Sequence, residues 1–201
     1  MSAELEELLD FVRFTHEIRN VKRAILLESN DRQENDEEHM YQLALLAWFI
    51  IENDGLKLDK FKVVGMCLVQ DVTEVYSGDT NAHASAADRE AHSKREKMAA
   101  KKLKQQWPTF TSLHKLLAEY QARQTPEAKF VYALDKLIPI INIYLYEGRS
   151  WIQQGIDFKE MQRVKVGKVD ISPEIGEYYQ AFLKILKDKP ELFGVTGIIK
   201  G

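Results

Sequence analysis

Helical periodicity is the feature of this sequence that most constrains its fold. Apolar residues recur at three- and four-residue spacing along most of the chain, which places them on one face of an α-helix. Only 5 prolines and 10 glycines interrupt these stretches in 201 residues. With 45% hydrophobic and 29% charged residues, the composition is typical of a globular chain with a core and argues against disorder. The sequence therefore predicts an all-α protein that forms one compact domain over residues 1–201.

Start and stop signals divide the chain into predicted helices. Asp59 is a suitable N-cap, and residues 125–127 (TPE) combine a capping residue, a proline at the first helical position and an acid. The helix at about 37–53 is apolar nearly all round and is predicted to lie at the centre. Residues 155–171 lose the periodicity and are predicted to form a loop or short irregular pieces. The predicted helices run at about 3–21, 37–53, 59–69, 84–107, 111–121, 125–146 and 172–187.

Charge and the length of the apolar runs argue against several classes of protein. A net charge of −3 does not favour binding to polymeric nucleic acid or to an anionic membrane. The longest apolar runs, 43–51 and 137–141, fall short of the ~20 residues that a membrane-spanning helix needs. The single cysteine, Cys67, cannot form an intramolecular disulfide, and the acidic first residues lack the layout of a signal peptide. We therefore expect a cytoplasmic protein.

Three polar clusters stand among the apolar helices. Residues 35–39 (NDEEH) place His39 early on the most apolar helix, and residues 70–74 (QDVTE) directly follow an apolar run. The third cluster is Asp135, on the buried side of a long helix. An unpaired charge among apolar side chains is costly, so each cluster needs a compensating partner. A shared metal ion would compensate all three.

Each cluster also has a simpler interpretation. A lone histidine such as His39 on an apolar helix is more often a core residue than a metal ligand. The carboxylates at 71–74 suit a solvated helix end, and Asp135 could pair with Lys136 or Arg149. Taken one at a time, the clusters do not distinguish these alternatives from a metal site.

Taken in order, the clusters resemble the HD-domain metal-dependent phosphohydrolases, and within them the small 5′-deoxynucleotidase group. That family pattern has a histidine on one helix, an adjacent His-Asp pair on a later helix and a distant aspartate. The resemblance covers about residues 11–148 and implies a single HD-domain helical bundle, with a C-terminal loop and helix at about 155–190. It is carried by Arg23 and by the runs 32–39 (RQENDEEH), 70–80 (QDVTEVYSGDT), 125–130 (TPEAKF) and 134–136 (LDK).

The resemblance implies a metal site. His39, Asp71 and Asp135 would bind a divalent transition metal (cobalt, manganese, iron, nickel or zinc), joined by the residue at position 70. That residue is Gln70 where the family has histidine, and an amide oxygen is a weaker donor to such ions than an imidazole nitrogen. Weaker metal binding is therefore predicted. Two explanations fit Gln70: a lineage whose metal site has changed, or a single replacement made to trap a bound state.

The resemblance also implies a reaction, the hydrolysis of (deoxy)nucleoside 5′-monophosphates. Glu74 would act as general acid or base with help from Asp79, and Arg23 would bind the phosphate through its guanidinium fork. Thr80 could bond a sugar hydroxyl, although a role as a turn residue fits it equally well. The small Ala24 after Arg23 makes a preference for deoxyribose over ribose a weaker expectation than phosphate removal itself.

Partners and alternative functions follow from the same resemblance. A homodimer is implied, with residues 138–146 or the last helix as the contact surface. One alternative is a nucleotide-binding or interaction protein that keeps the pocket without turnover, as a natural Gln70 would suggest. Another is an HD hydrolase of a nucleoside triphosphate or signalling nucleotide, for which Arg23 and Lys136 supply few cations.

Overall fold

The computed structural model describes residues 2–27, 32–79 and 86–194 and confirms the all-α prediction. Among these residues, no helix combines the length and the apolar character needed to cross a membrane. The helices are α1 (Ala3–Asn20), α2 (Asp36–Asn53), α3 (Lys60–Val69), α4 (Glu74–Ser77), α5 (Ala86–Gln106), α6 (Thr111–Ala122), α7 (Pro126–Leu145), α8 (Arg149–Gln154), α9 (Phe158–Arg163) and α10 (Pro173–Lys187). Two short strands, β1 (Lys22–Leu26) and β2 (Gln33–Asn35), lie between α1 and α2.

The helices begin where local capping chemistry favours them. Asp59 accepts a hydrogen bond from the backbone N–H of Lys62 at the start of α3, and Thr125 accepts one from the N–H of Ala128 at the start of α7. Helix α2 begins with a capping box, in which Asn35 and Glu38 each accept a hydrogen bond from the other's backbone N–H. The predicted caps at Asp59 and Thr125 are therefore confirmed.

The small antiparallel sheet was not predicted. Lys22 lies opposite Asn35 and Leu26 opposite Gln33, with an irregular register between these pairs. Strands of five and three residues are too short for a recognisable alternation of apolar and polar residues. The sheet matters for function because β1 carries Arg23 towards the helices that follow.

Helix α7, rather than α2, forms the centre of the main core. Phe130, Leu134, Leu137 and Ile138 on α7 are all at most 1% exposed. Helix α2 buries one face against this core, but its other face is exposed. That exposed face carries Tyr41, Leu45, Trp48 and Phe49. The prediction that all of α2 would be central is therefore wrong for half of the helix.

Two further predictions are refined by the structure. Residues 155–171 contain one short helix, α9, followed by turns, which agrees with the predicted irregular segment. The 138–146 surface suggested for a dimer contact is largely taken up in the core, since Ile138, Ile140 and Asn142 are buried and Leu145 is exposed. The segment 138–146 therefore offers little exposed surface, and the last helix, α10, remains the other predicted contact surface.

Candidate metal centre and adjoining cavity

Three of the predicted metal ligands converge in the structure. His39 lies in the first turns of α2, Asp71 follows α3, and Asp135 is in the middle of α7; all three are buried. One ligand atom from each lies within 4.8 Å of the others. The Nε2 atom of His39 is 2.9 Å from Asp135 Oδ1 and 3.8 Å from Asp71 Oδ2. A single ring nitrogen therefore faces two carboxylate oxygens, as the ligands of one ion would.

The Asp135 carboxylate has further partners. Lys136 Nζ lies 2.6 Å from Asp135 Oδ2, and the hydroxyl of Tyr120 donates to the same oxygen at 3.2 Å. Burial acts to raise the pKa of Asp135, but Lys136, His39 and Arg23 together hold that pKa well below its ordinary value. The carboxylate therefore stays ionised, as a metal ligand must. The pairing with Lys136, left open from the sequence, exists beside the convergence on His39.

Arg23 ties the sheet to the candidate centre. Its Nε lies 3.1 Å from Glu34 Oε2, and its Nη1 lies 3.1 Å from Asp71 Oδ2 and 3.4 Å from Asp36 Oδ1. Burial acts to lower the pKa of Arg23, but the surrounding carboxylates, Asp71 first, raise it overall. The guanidinium also lines the cavity beside the centre. Arg23 thus orients the candidate ligand Asp71 and also lines the adjoining cavity.

Two buried carboxylates of this site, Glu34 and Asp36, received no role from the sequence. Glu34 accepts a hydrogen bond from Asn142 Nδ2 on α7 at 3.2 Å and also pairs with Arg23. Asp36 is the first residue of α2, where acidic residues are common because they favour the helix dipole. Although an acidic residue is common at this position, Asp36 is 0% exposed, and nothing in the sequence indicated this burial.

Ionisation of the Asp36 carboxyl is unfavourable in the folded protein. Burial, followed by the charge of Asp71, raises its pKa to about 8 in the folded protein, against an ordinary 3.8. Between these two pH values the folded protein keeps a proton that the unfolded chain releases. The free energy of unfolding should therefore fall as the pH rises from 4 to 8 and should show the full penalty above 8.

We expect the Asp36→Asn variant to remove this penalty. Asparagine keeps the shape of the side chain and does not ionise, so the free energy of unfolding at pH 9 should increase by about 1–3 kcal/mol. At pH 4 the difference should vanish, because the wild-type carboxyl is then protonated. Urea unfolding of the metal-free protein at both pH values measures this. An equal difference at the two pH values would contradict the assigned cause.

Glu74 and Gln70 flank Asp71. Glu74 begins α4, and burial together with the charges of Asp71, Asp36 and Asp79 raises its pKa well above the ordinary value. These effects favour the protonated form of Glu74, which is the form that can donate a proton. Gln70 caps the C-terminus of α3 and is 5% exposed.

The residues around the convergence fit a metal ion. Four of their polar atoms are buried and make no hydrogen bond within the described chain: His39 Nδ1, Asp36 Oδ2, Gln70 Nε2 and Glu74 Oε2. Buried polar atoms normally have a partner in the protein or in ordered water. One imidazole nitrogen with two carboxylates is a donor set that divalent transition metals accept. This donor set suits a divalent cation, and the unsatisfied carboxylate oxygens of Asp36 and Glu74 could accept hydrogen bonds from its bound water.

A cavity adjoins the candidate centre. Its charged lining residues are Arg23, Asp79, Asp135, Lys136 and Lys165, and its apolar wall includes Ile25, Pro139, Ile140, Ile143, Trp151 and Met161. Asp79 is thus placed beside the centre, as predicted. Thr80 lies outside the described residues. The cavity combines charged groups at the centre with an apolar wall, as small-molecule sites generally do.

Tyr120 and Lys165 were missed because they come from distant parts of the chain. Tyr120 reaches Asp135 only because α6 packs on α7, and Lys165 lies in the irregular segment after α9. Neither stands in a pattern that sequence spacing would single out.

Comparison with known proteins assigns the family. The HD-domain family model matches residues 15–176. The chain belongs to the HD-domain family. This HD-domain protein is 34% identical to the 5′-deoxynucleotidase HDDC2 of Homo sapiens over 143 residues, 70% of this chain and 68% of the human protein. It is 29% identical to the 5′-deoxynucleotidase hdd1 of Schizosaccharomyces pombe over 122 residues, 58% of this chain and 60% of the yeast protein.

Solved structures agree with this assignment. The crystal structure of a predicted metal-dependent phosphohydrolase from Magnetospirillum magnetotacticum superposes with a TM-score of 0.79 at 27% identity, covering 94% of this chain and 95% of that one. An HD-domain phosphohydrolase from Listeria innocua, 16% identical with a TM-score of 0.61 and 92% coverage of both chains, shares the fold. The predicted family and fold class are therefore confirmed.

Proposed function

We propose that this HD-domain protein is a metal-dependent phosphohydrolase that removes phosphate from nucleoside 5′-monophosphates, deoxyribonucleotides among them. The convergence of His39, Asp71 and Asp135 beside a cavity that Arg23 lines is the observation that carries the proposal. The relatives named 5′-deoxynucleotidase support the choice of substrate.

His39, Asp71 and Asp135 would hold the divalent cation, with Gln70 as a weaker fourth ligand. When bound, such a cation supplies Lewis-acid chemistry, which increases the acidity of water and withdraws charge from a phosphoryl oxygen. Arg23 fixes the Asp71 carboxylate and presents its guanidinium to the phosphate.

Proton transfer is assigned to Glu74. Because the raised pKa of Glu74 favours its protonated form, Glu74 can give a proton to the leaving 5′-oxygen as the bond from phosphorus to that oxygen breaks. Asp79 assists because its negative charge helps to keep the pKa of Glu74 high. Thr80 remains a prediction for contact with a sugar hydroxyl.

A homodimer in the cytoplasm is part of the same proposal. The exposed row Tyr41, Leu45, Trp48 and Phe49 on α2 is a surface that a second copy would cover. A cytoplasmic location is supported by Cys67, a buried free thiol. Light scattering from the purified protein measures its mass in solution and tests the dimer.

A single exchange at position 70 tests the function. We expect Gln70→His to increase the affinity for manganese or cobalt by about 10- to 100-fold and to increase phosphate release from dAMP, because imidazole is the better donor. Metal content and phosphate released from dAMP, AMP and dATP are measured for both proteins. Gln124→His, on an exposed turn, is the matched control and should leave both quantities unchanged.

The outcomes separate the proposed function from its alternatives. Release from dAMP but not dATP supports the monophosphatase. If both proteins bind dAMP and neither releases phosphate, the chain is a nucleotide-binding protein without turnover. Faster release from dATP than from dAMP would instead indicate a triphosphate hydrolase.

A further inference from the structure

The cavity contains a buried lysine that the chemistry above does not use. Lys165 lies between α9 and α10 and is 7% exposed, yet it lines the same cavity as Arg23 and Lys136. Its Nζ donates a hydrogen bond to the backbone carbonyl of Lys136 at 2.8 Å. An ammonium group has three N–H donors, and this carbonyl accepts one of them. Lys165 therefore has donors left for a molecule in the cavity.

The other two cations of the cavity wall are already paired. Arg23 contacts Asp71, and Lys136 contacts Asp135. Within residues 2–27, 32–79 and 86–194, no carboxylate lies within 4.0 Å of Lys165 Nζ. A buried ammonium without a counter-ion is costly, so an anionic ligand bound beside Lys165 would stabilise the charged form of its amine.

The electrostatics of Lys165 agree with this geometry. Burial, assisted by the nearby positive charge of Lys136, lowers the pKa of Lys165 to about 7. An anion bound beside the amine would favour its charged form. Binding of an anion beside Lys165 would therefore be accompanied by protonation of its amine.

The position of Lys165 relates it to the candidate metal centre. The carbonyl that holds its Nζ belongs to Lys136, the residue directly after Asp135 on α7. Pro139 lacks the backbone N–H that would otherwise bond the carbonyl of Asp135, so the ladder of α7 is interrupted at this level. Lys165 and Asp135 line the same cavity, so an anion bound there by Lys165 would share the cavity with this candidate ligand.

We propose that Lys165 binds the phosphoryl group of the substrate, adding to the cavity an amine that forms no ion pair with a carboxylate of the described residues. The identity of the anion rests on the proposed function. Lys165 Nζ donates to a phosphoryl oxygen while the apolar wall formed by Ile140, Ile143 and Trp151 contacts the nucleoside. The lysine is thus a substrate-binding residue contributed by the segment after α9.

Binding measurements on Lys165→Met test this inference. Calorimetry with saturating manganese, with every protein carrying Glu74→Gln so that dAMP is not consumed, should show that the affinities for inorganic phosphate and for dAMP fall by about 10- to 100-fold, because a charge-assisted hydrogen bond is lost. The affinity for deoxyadenosine should be unchanged. Lys165→Arg, which keeps the charge, should retain most of the phosphate affinity. Lys159→Met, an exposed lysine on α9, is the matched control and should bind all three compounds as the wild type does.

The thermal unfolding temperature of each variant shows whether folding is preserved. Methionine removes a buried charge, so the unfolding temperature should not fall; Lys165→Gln serves as the second variant if it does. Unchanged phosphate affinity in Lys165→Met or Lys165→Gln would overturn the inference. Equal losses for dAMP and deoxyadenosine would overturn it too, because they would show a general packing role.

Failure of the proposed function gives a different result. If the wild-type protein binds phosphate through Lys165 but releases none from any nucleoside monophosphate, the anion site at Lys165 is supported and the proposed hydrolase activity is wrong. If the wild-type protein hydrolyses dAMP but Lys165 contributes nothing to phosphate binding, the proposed function is supported and the inference about Lys165 is wrong.

Discussion

The His39→Gln variant should lose bound transition metal and release less than about 1% of the wild-type amount of phosphate, since exchanging residues that only support metal ligands already costs ~10- to 100-fold in affinity. His39 supplies the one nitrogen of the candidate centre, and Nε2 faces both Asp71 and Asp135. With Gln70 already in place, the variant would offer oxygen donors, which divalent transition metals bind less tightly than imidazole.

His114→Gln is the matched control for this experiment. His114 is partly buried, and its Nε2 contacts the backbone carbonyl of Trp107 rather than the candidate centre. Metal content by elemental analysis and phosphate release by a colorimetric assay are compared for the three proteins. Retention of the metal by His39→Gln, or an equal loss from His114→Gln, would show that His39 is not a ligand.

The Glu74→Gln variant should separate proton transfer from metal binding. Glutamine cannot donate the proton assigned to Glu74, so turnover should fall by about 10²- to 10⁴-fold while the metal content is unchanged. In the wild-type protein, turnover should also decline as the pH rises through the raised pKa of Glu74, because the donor is then lost. The variant should lack this alkaline decline.

Glu90→Gln, an exposed exchange on α5, is the control for Glu74→Gln and should leave turnover unchanged. Loss of metal from Glu74→Gln would identify Glu74 as a ligand. Unchanged turnover, with the alkaline decline still present, would remove Glu74 from the mechanism. Turnover measured from pH 5 to 10 with dAMP distinguishes these results.

Local signals in the sequence were sufficient for most helices. The caps at Asp59 and Thr125 and the apolar spacing along α7 act within about four residues, so the order of helices could be predicted without knowledge of their packing. The hairpin of β1 and β2 could not, because such short strands depend on pairing with each other. The exposed half of α2 was also hidden, since an apolar face does not reveal whether another element covers it.

The candidate site divides in the same way. The family pattern selected His39, Asp71 and Asp135, whose positions the structure brings together. Tyr120 and Lys165 carry no such pattern, and their closeness to α7 results from helix packing.

The sequence by itself determined approximately where the long helices begin and end, which family the chain joins and which residue types can bind a metal. Tertiary structure decided which site side chains lie close together and how readily the buried groups ionise. His39 and Asp135, 96 residues apart in the chain, meet at 2.9 Å only when α2 packs on α7. Tertiary packing elsewhere in the fold also removes Asp36, Glu74 and Lys165 from solvent and so shifts their pKa values. Capping and periodicity are local along the chain, whereas burial and electrostatics depend on neighbours that folding alone brings near.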